Sequence, residues 1–168
     1  VLDDSLPVTR PRTQTGHPLM TPEYAAPEQL PGGDISTRTD VYQLGVLAYE
    51  LMAERRPLDL SGKSLTELER IITEEAPPPP SERAAGASRA NPLRGDLDTI
   101  LQKALRKEPE RRYRSVEALA TDLRRYRQDE PIEARPATLR YRARKFVTRN
   151  ATGVGVAAAF LAVLVLAG

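Results

Sequence analysis

The side chains that could do chemistry in this chain are carboxylates, arginines and threonine hydroxyls. No cysteine is present, which excludes disulfides, thiolate metal sites and cysteine nucleophiles. The one histidine, His17, precedes Pro18, and alone it builds neither a zinc site nor a hydrolase triad. Four threonines, Thr9, Thr13, Thr15 and Thr21, lie in a Pro-rich opening stretch. Beyond them stand Glu28 at the end of Ala26-Pro27-Glu28, Asp40 at the head of an apolar run, and Arg112 close behind Pro109. Taken singly, each has a plain reading: loop threonines, an N-cap aspartate, one charge among many on a solvated turn.

The elements that must position these groups are helical. From Asp40 to Ala53 the chain is apolar almost all round, which predicts a helix in the middle of a core. Ser64-Leu-Thr-Glu67 is a capping box, and Leu68, Ile71 and Ile72 share one face of an amphipathic helix reaching about Glu75, stopped by Pro77 to Pro80. Residues 81–94 carry no periodic apolar face and read as a surface loop. Leu97, Ile100, Leu101, Ala104 and Leu105 predict a third helix, ended ahead of Pro109, and Val116, Leu119, Leu123 and Tyr126 a fourth after Ser115. Strand signals are nearly absent.

The motifs acquire meaning from their order. Met20-Thr-Pro-Glu-Tyr-Ala-Ala-Pro-Glu28 resembles the end of the activation segment of protein kinases, with Thr21, Pro22 and Glu23 in the substrate-side P+1 loop and Ala26, Pro27 and Glu28 as the Ala-Pro-Glu motif. Asp40-Val-Tyr-Gln-Leu-Gly45 is similar to the opening of the kinases' central helix. Two more blocks agree in sequence order, Tyr49 to Pro57 and Ala104 to Tyr113. The resemblance implies that Glu28 pairs with Arg112, that Asp40 supports the catalytic loop, that Gly45 permits close packing, and that Thr9, Thr13 and Thr15 are activation-loop phosphosites. A threonine at Thr21 resembles the serine/threonine class rather than the tyrosine class. It implies transfer of the γ-phosphoryl of ATP, with Mg²⁺, to protein Ser or Thr in the complete protein, with protein substrates and a kinase homodimer as partners.

The chain contains no His-Arg-Asp, Asp-Phe-Gly, strand lysine or Gly-rich loop. Val1-Leu-Asp-Asp is similar to the residues just after Asp-Phe-Gly, so the fragment alone is expected to lack catalytic residues, to hold no metal and to need no cofactor. The alternative is a pseudokinase or a tethered interaction module without catalysis.

Net charge is +2, yet Arg140, Arg142, Arg144, Lys145 and Arg149 form an acid-free run, which leaves the remainder mildly acidic and argues against a nucleic-acid partner. Residues 151–168 carry no charge and read as a truncated transmembrane helix. The basic run before it places the lobe in the cytoplasm of a single-pass cell-membrane protein. Three further patterns, Pro77 to Pro80, Asn150-Ala-Thr152 and Gly153-Val-Gly155, read as a rigid connector, an unused sequon and part of the apolar run. The expectation is therefore a mainly α fold: a kinase C-lobe over 1–128, without N-lobe or catalytic loop, then a basic juxtamembrane linker over 129–150 and a transmembrane helix over 151–168. This resembles bacterial receptor-type serine/threonine kinases.

Overall fold

Ser36 starts the first long helix. Its hydroxyl accepts from the Arg38 amide at 3.3 Å, while its own amide donates to Thr39 Oγ1 at 3.2 Å, so two amides that a helix end leaves orphaned find partners. In the computed structural model, which describes residues 22–30, 33–86, 90 and 92–167, this helix is α1, Thr37–Ala53. The cap thus lies ahead of Asp40, the expected N-cap. Asp40 stands in the first turn instead, where a carboxylate complements the positive end of the helix dipole.

The helix α2, Leu65–Glu74, is capped by Ser64, whose amide donates to Glu67 Oε2 at 3.0 Å, and it buries Ile71 and Ile72. Within the expected loop, Pro80–Arg83 forms a short helix, α3. Ser81 ties it down by donating from its amide and hydroxyl to the Asp98 carboxylate at 2.9 and 2.8 Å. Asp98 lies on α4, Asp96–Ala104, and after a 3-10 turn at Pro109–Arg111 comes α5, Val116–Arg127, capped by Ser115. The described residues are mainly helical and contain no strand.

Two apolar clusters meet at α1. Tyr42, Val46, Tyr49 and Ala53 pack with Ala26, Leu93, Leu97 and Leu105, and Val41 packs with Ile100, Ala104, Tyr113, Leu119, Ile132 and Tyr141. Ile100 and Leu101 are fully buried, each contributing about 1.5–3 kcal/mol through removal of apolar area from water. A β-carbon on Gly45 would lie 3.0 Å from Ala104 Cβ and 3.2 Å from Leu105 Cδ2, so its absence sets how closely α1 and α4 approach. The enclosure is one-sided. Leu44, Leu47 and Leu51, on the other face of α1, remain 39%, 43% and 69% exposed.

The C-terminal third departs most from expectation. The stretch 129–150 is no free linker: it turns at Asp129, whose φ is +52°, buries Ile132 and Tyr141 in the lobe, and forms α6, Leu139–Arg149. The expected transmembrane helix is corrected outright. Asn150 caps α6 by donating from its amide and side chain to Phe146 O, both at 2.9 Å, and the next helix, α7, spans Ala151–Ala167, 17 residues. No helix among the described residues is long and apolar enough to cross a membrane. Orientation by the positive-inside rule needs such a span, so the basic run 140–149 is accounted for here as α6.

Candidate functional site

Two prolines shape the segment that carries Glu28. Pro22–Tyr24 and Pro27–Gln29 each form a 3-10 turn opened by proline, whose φ is already set for it and whose missing amide has no bond to lose there. Between them Ala26 is fully buried. Its amide donates to Gln29 Oε1 at 2.9 Å, and Gln43 Nε2 of α1 donates to the same oxygen at 3.0 Å, which fastens the segment to the helix.

Glu28 then meets Arg112 across 84 residues of chain. The guanidinium donates from Nη1 to Oε1 at 2.6 Å and from Nη2 to Oε2 at 2.7 Å, the paired geometry that a planar fork and a carboxylate share. Its other donors are used as well: Nε to Arg106 O at 2.6 Å, Nη1 to Arg38 O at 3.0 Å and Nη2 to Lys107 O at 2.8 Å. The Tyr42 ring lies 4.8 Å beneath. The side chains of Arg112 and Glu28 are 0% and 7% exposed.

One side chain thereby joins three pieces of the fold: the segment 22–30, the first turn of α1 and the link between α4 and α5. Thr39, in the same first turn of α1, reinforces the joint, its hydroxyl donating to Glu28 Oε1 at 2.8 Å. Burial pulls the Glu28 carboxyl upward, but the hydrogen bonds from Arg112 and Thr39 outweigh it and hold the group below the usual carboxylate range. At neutral pH the pair is fully charged. This is a mechanical joint rather than a reaction centre.

At the other end of the segment, the Tyr24 hydroxyl donates to Glu50 Oε2 at 2.9 Å, and Arg56 bridges Glu23 at 3.2 Å and Glu50 at 3.3 Å. Arg56 is nearly half exposed, so this network orients the turn more than it stabilises it.

Residues 8–123 match the protein kinase domain family. The chain belongs to that family. It is 36% identical over 141 residues to the serine/threonine-protein kinase PknB of Mycobacterium tuberculosis, covering 84% of this chain and 21% of the relative. It is 37% identical over 122 residues to PknB of Mycobacterium leprae, 73% of this chain and 18% of the relative. With the serine/threonine-protein kinase Pkn1 of Myxococcus xanthus it shares 37% over 113 residues, 67% of this chain and 15% of the relative. The chain thus spans about a fifth of the length of the curated relatives it matches.

Within this kinase-family frame, Ala26, Pro27, Glu28 and Arg112 come together in one joint, and Gly45 lies against α4 below it. Asp40 does not join them. It is exposed, and its side chain has no hydrogen-bond or ion-pair partner among the described residues. Pro22 and Glu23 open the described part of the segment, while Thr21, Thr9, Thr13 and Thr15 lie outside the described residues. Sequence reasoning passed over Thr39, whose spacing from Ser36 marks a helix start, and Tyr42, which reads as an ordinary core aromatic.

It also passed over Lys107. Nζ donates to Ile72 O at 2.7 Å and to the Tyr42 hydroxyl at 3.5 Å, tying α2 to the underside of the joint. Burial, and then the neighbouring Arg112 charge, push its ammonium down to about 8 from an ordinary 10.5. Between these values the unfolded chain holds a proton that the folded chain has released, so stability rises with pH. Thermal unfolding is expected to move to higher temperature between about pH 8 and 10, and Lys107→Met is expected to flatten that rise. Above 10 the sign reverses, because burial raises Tyr42 to about 12 and the unfolded chain then loses the proton first. A melting temperature that is level or falling from pH 8 to 10 contradicts the assignment.

Proposed function

We propose that this chain is the substrate-side helical part of a serine/threonine protein kinase, which in its complete form transfers the γ-phosphoryl of ATP to serine and threonine hydroxyls of protein substrates. The observation that carries this reading is the fully engaged Arg112 grip on Glu28, which holds the end of an activation segment, 22–30, against the base of the lobe. Phosphoryl transfer depends on positioning, and a rigid floor under the peptide-binding loop is what this joint supplies. Thr21, at the start of that segment by sequence, supports the serine/threonine class.

The exposed face of α1 supports the same reading. Asp40, Leu44, Leu47 and Leu51 share one side of the helix, an apolar stripe headed by a carboxylate, suited to seat the remainder of a catalytic domain. The described residues fit neither ATP nor Mg²⁺: no group of three His, Cys, Asp or Glu among them could hold a metal, and the chain has no glycine-rich phosphate loop. The chain's own contribution is to hold the substrate side in place.

The test is a phosphotransfer assay of the complete protein on a generic serine- and threonine-containing substrate, with analysis of the phosphoamino acids formed. Phosphoserine or phosphothreonine is expected. No transfer by the complete protein, or transfer to tyrosine alone, overturns the reading.

A further inference from the structure

The family match ends at residue 123, yet the fold does not. The stretch that follows returns to the lobe at two buried carboxylates. Asp122, 0% exposed, accepts from the Glu133 and Ala134 amides at 2.7 and 2.8 Å, from the Tyr113 hydroxyl at 2.9 Å and from Arg125 Nη1 at 3.3 Å. Asp96, 8% exposed at the start of α4, accepts from the Tyr141 hydroxyl at 2.9 Å, Lys145 Nζ at 2.8 Å and Arg135 Nη1 at 3.4 Å. Ile132 is buried in the apolar cluster with Tyr113 and Tyr141, its amide donating to the Tyr141 oxygen at 3.2 Å.

A carboxylate taken out of water needs every one of these donors. Asp122 obtains two of its four from residues 133 and 134. Without that stretch it keeps Tyr113 and Arg125 only, and water enters beside Tyr113. That position matters because Tyr113 is the residue next to Arg112. Its ring is buried in the cluster with Ile132, and its hydroxyl has Asp122 as its partner. A continuous set of contacts therefore runs from the 130–145 strap through Asp122 and Tyr113 to the backbone that carries Arg112.

We propose that residues 129–149 form a latch that positions Arg112 and, through it, the Glu28 segment, so that docking of the strap tightens the substrate-side loop and its release loosens it. Asp122 and Tyr113 are the positioning residues; they touch no reacting group. The inference rests on the kinase reading only for its effect on catalysis. The latch itself is read from exchange in the 168-residue chain, so the two can fail separately.

Amide hydrogen exchange on Tyr141→Phe/Lys145→Ala and, separately, on Ile132→Asp tests it, with Lys145→Arg as the conservative control. Exchange over 129–149 is expected to rise tenfold or more in the first two variants, and exchange over 22–30 several-fold, while the interior of α1 stays protected. Lys145→Arg is expected to resemble the parent in both regions. Three results overturn the latch: a freed strap with unchanged exchange over 22–30, a strap that stays protected in both disrupting variants, or Lys145→Arg behaving like the disrupted chain. Should Ile132→Asp unfold the chain, the double variant, which keeps Ile132 and the Tyr141 ring in the apolar cluster and removes two of the three side-chain donors to Asp96, still decides. In the complete protein the same double variant is expected to lower phosphotransfer several-fold. Unchanged transfer alongside faster exchange over 22–30 overturns the coupling of the latch to catalysis and leaves the kinase reading standing.

Discussion

Arg112→Ala is expected to destabilise the chain by about 3–5 kcal/mol, the range for breaking a buried pair by removing one partner. The cost is not the worth of one ion pair. Removing the guanidinium strands the Glu28 carboxylate, 7% exposed, with Thr39 as its remaining side-chain donor, and leaves the carbonyls of Arg38, Arg106 and Lys107 without the donors they face. Glu28→Ala is expected to cost less, because Arg112 keeps those three carbonyls and the Tyr42 ring. Arg112→Lys falls between: a point charge can satisfy one carboxylate oxygen but cannot span both and reach the carbonyls as well. Urea unfolding of the three variants at pH 7 gives the order directly. Equal stabilities for Arg112→Ala and Arg112→Lys, or a loss below about 1 kcal/mol for Arg112→Ala, contradict the account of the joint, since surface pairs give losses of that size. In the complete protein, Arg112→Ala is expected to lower phosphotransfer along with stability.

Much of the lobe is legible in the sequence because its signals are local. Ser64 and Glu67 cap α2 within three residues of each other, and the apolar spacing of Leu97, Ile100, Leu101 and Ala104 locates α4. The meeting of Glu28 with Arg112 is of another kind. Nothing local distinguishes Arg112 from Arg111, and only the order of the kinase-like motifs selects it. In the stretch after α5 a nonlocal partner decided. Residues 129–150 look like a linker because their composition is polar and Pro-containing, yet Ile132 and Tyr141 find burial and two carboxylates find donors among them. The apolar run beyond Asn150 matched a span by composition, yet no helix among the described residues is long and apolar enough to cross a membrane. Asp40 fits an N-cap in isolation, and Ser36 takes the role because it caps reciprocally with Thr39.

The second large effect is steric. A β-carbon added at Gly33 would overlap the Glu28 carbonyl oxygen and lie 2.6 Å from Glu28 Cα and 2.7 Å from its carbonyl carbon, so the obstacle is backbone with no rotamer to change. Gly33→Ala therefore pushes on the residue that Arg112 grips. Either the loop moves away and the turn at Pro27–Gln29 opens, or Glu28 shifts and loses the paired geometry with its arginine. The expected destabilisation is about 1–3 kcal/mol, the range for overpacking a tight contact, and thermal melting measures it. The control is Gly62→Ala. Gly62 has φ +67° and nothing within 4 Å of its β position, so only the intrinsic cost of a left-handed alanine applies there. Gly33, whose constraint is space, is expected to lose further when the added group grows from alanine to valine. That growth separates a steric origin from a conformational one, and a Gly33→Val variant no worse than Gly33→Ala contradicts it. Because the overlap falls on Glu28 itself, combining Gly33→Ala with Arg112→Ala is expected to cost less than the sum of the two, the non-additivity of changes that break one joint.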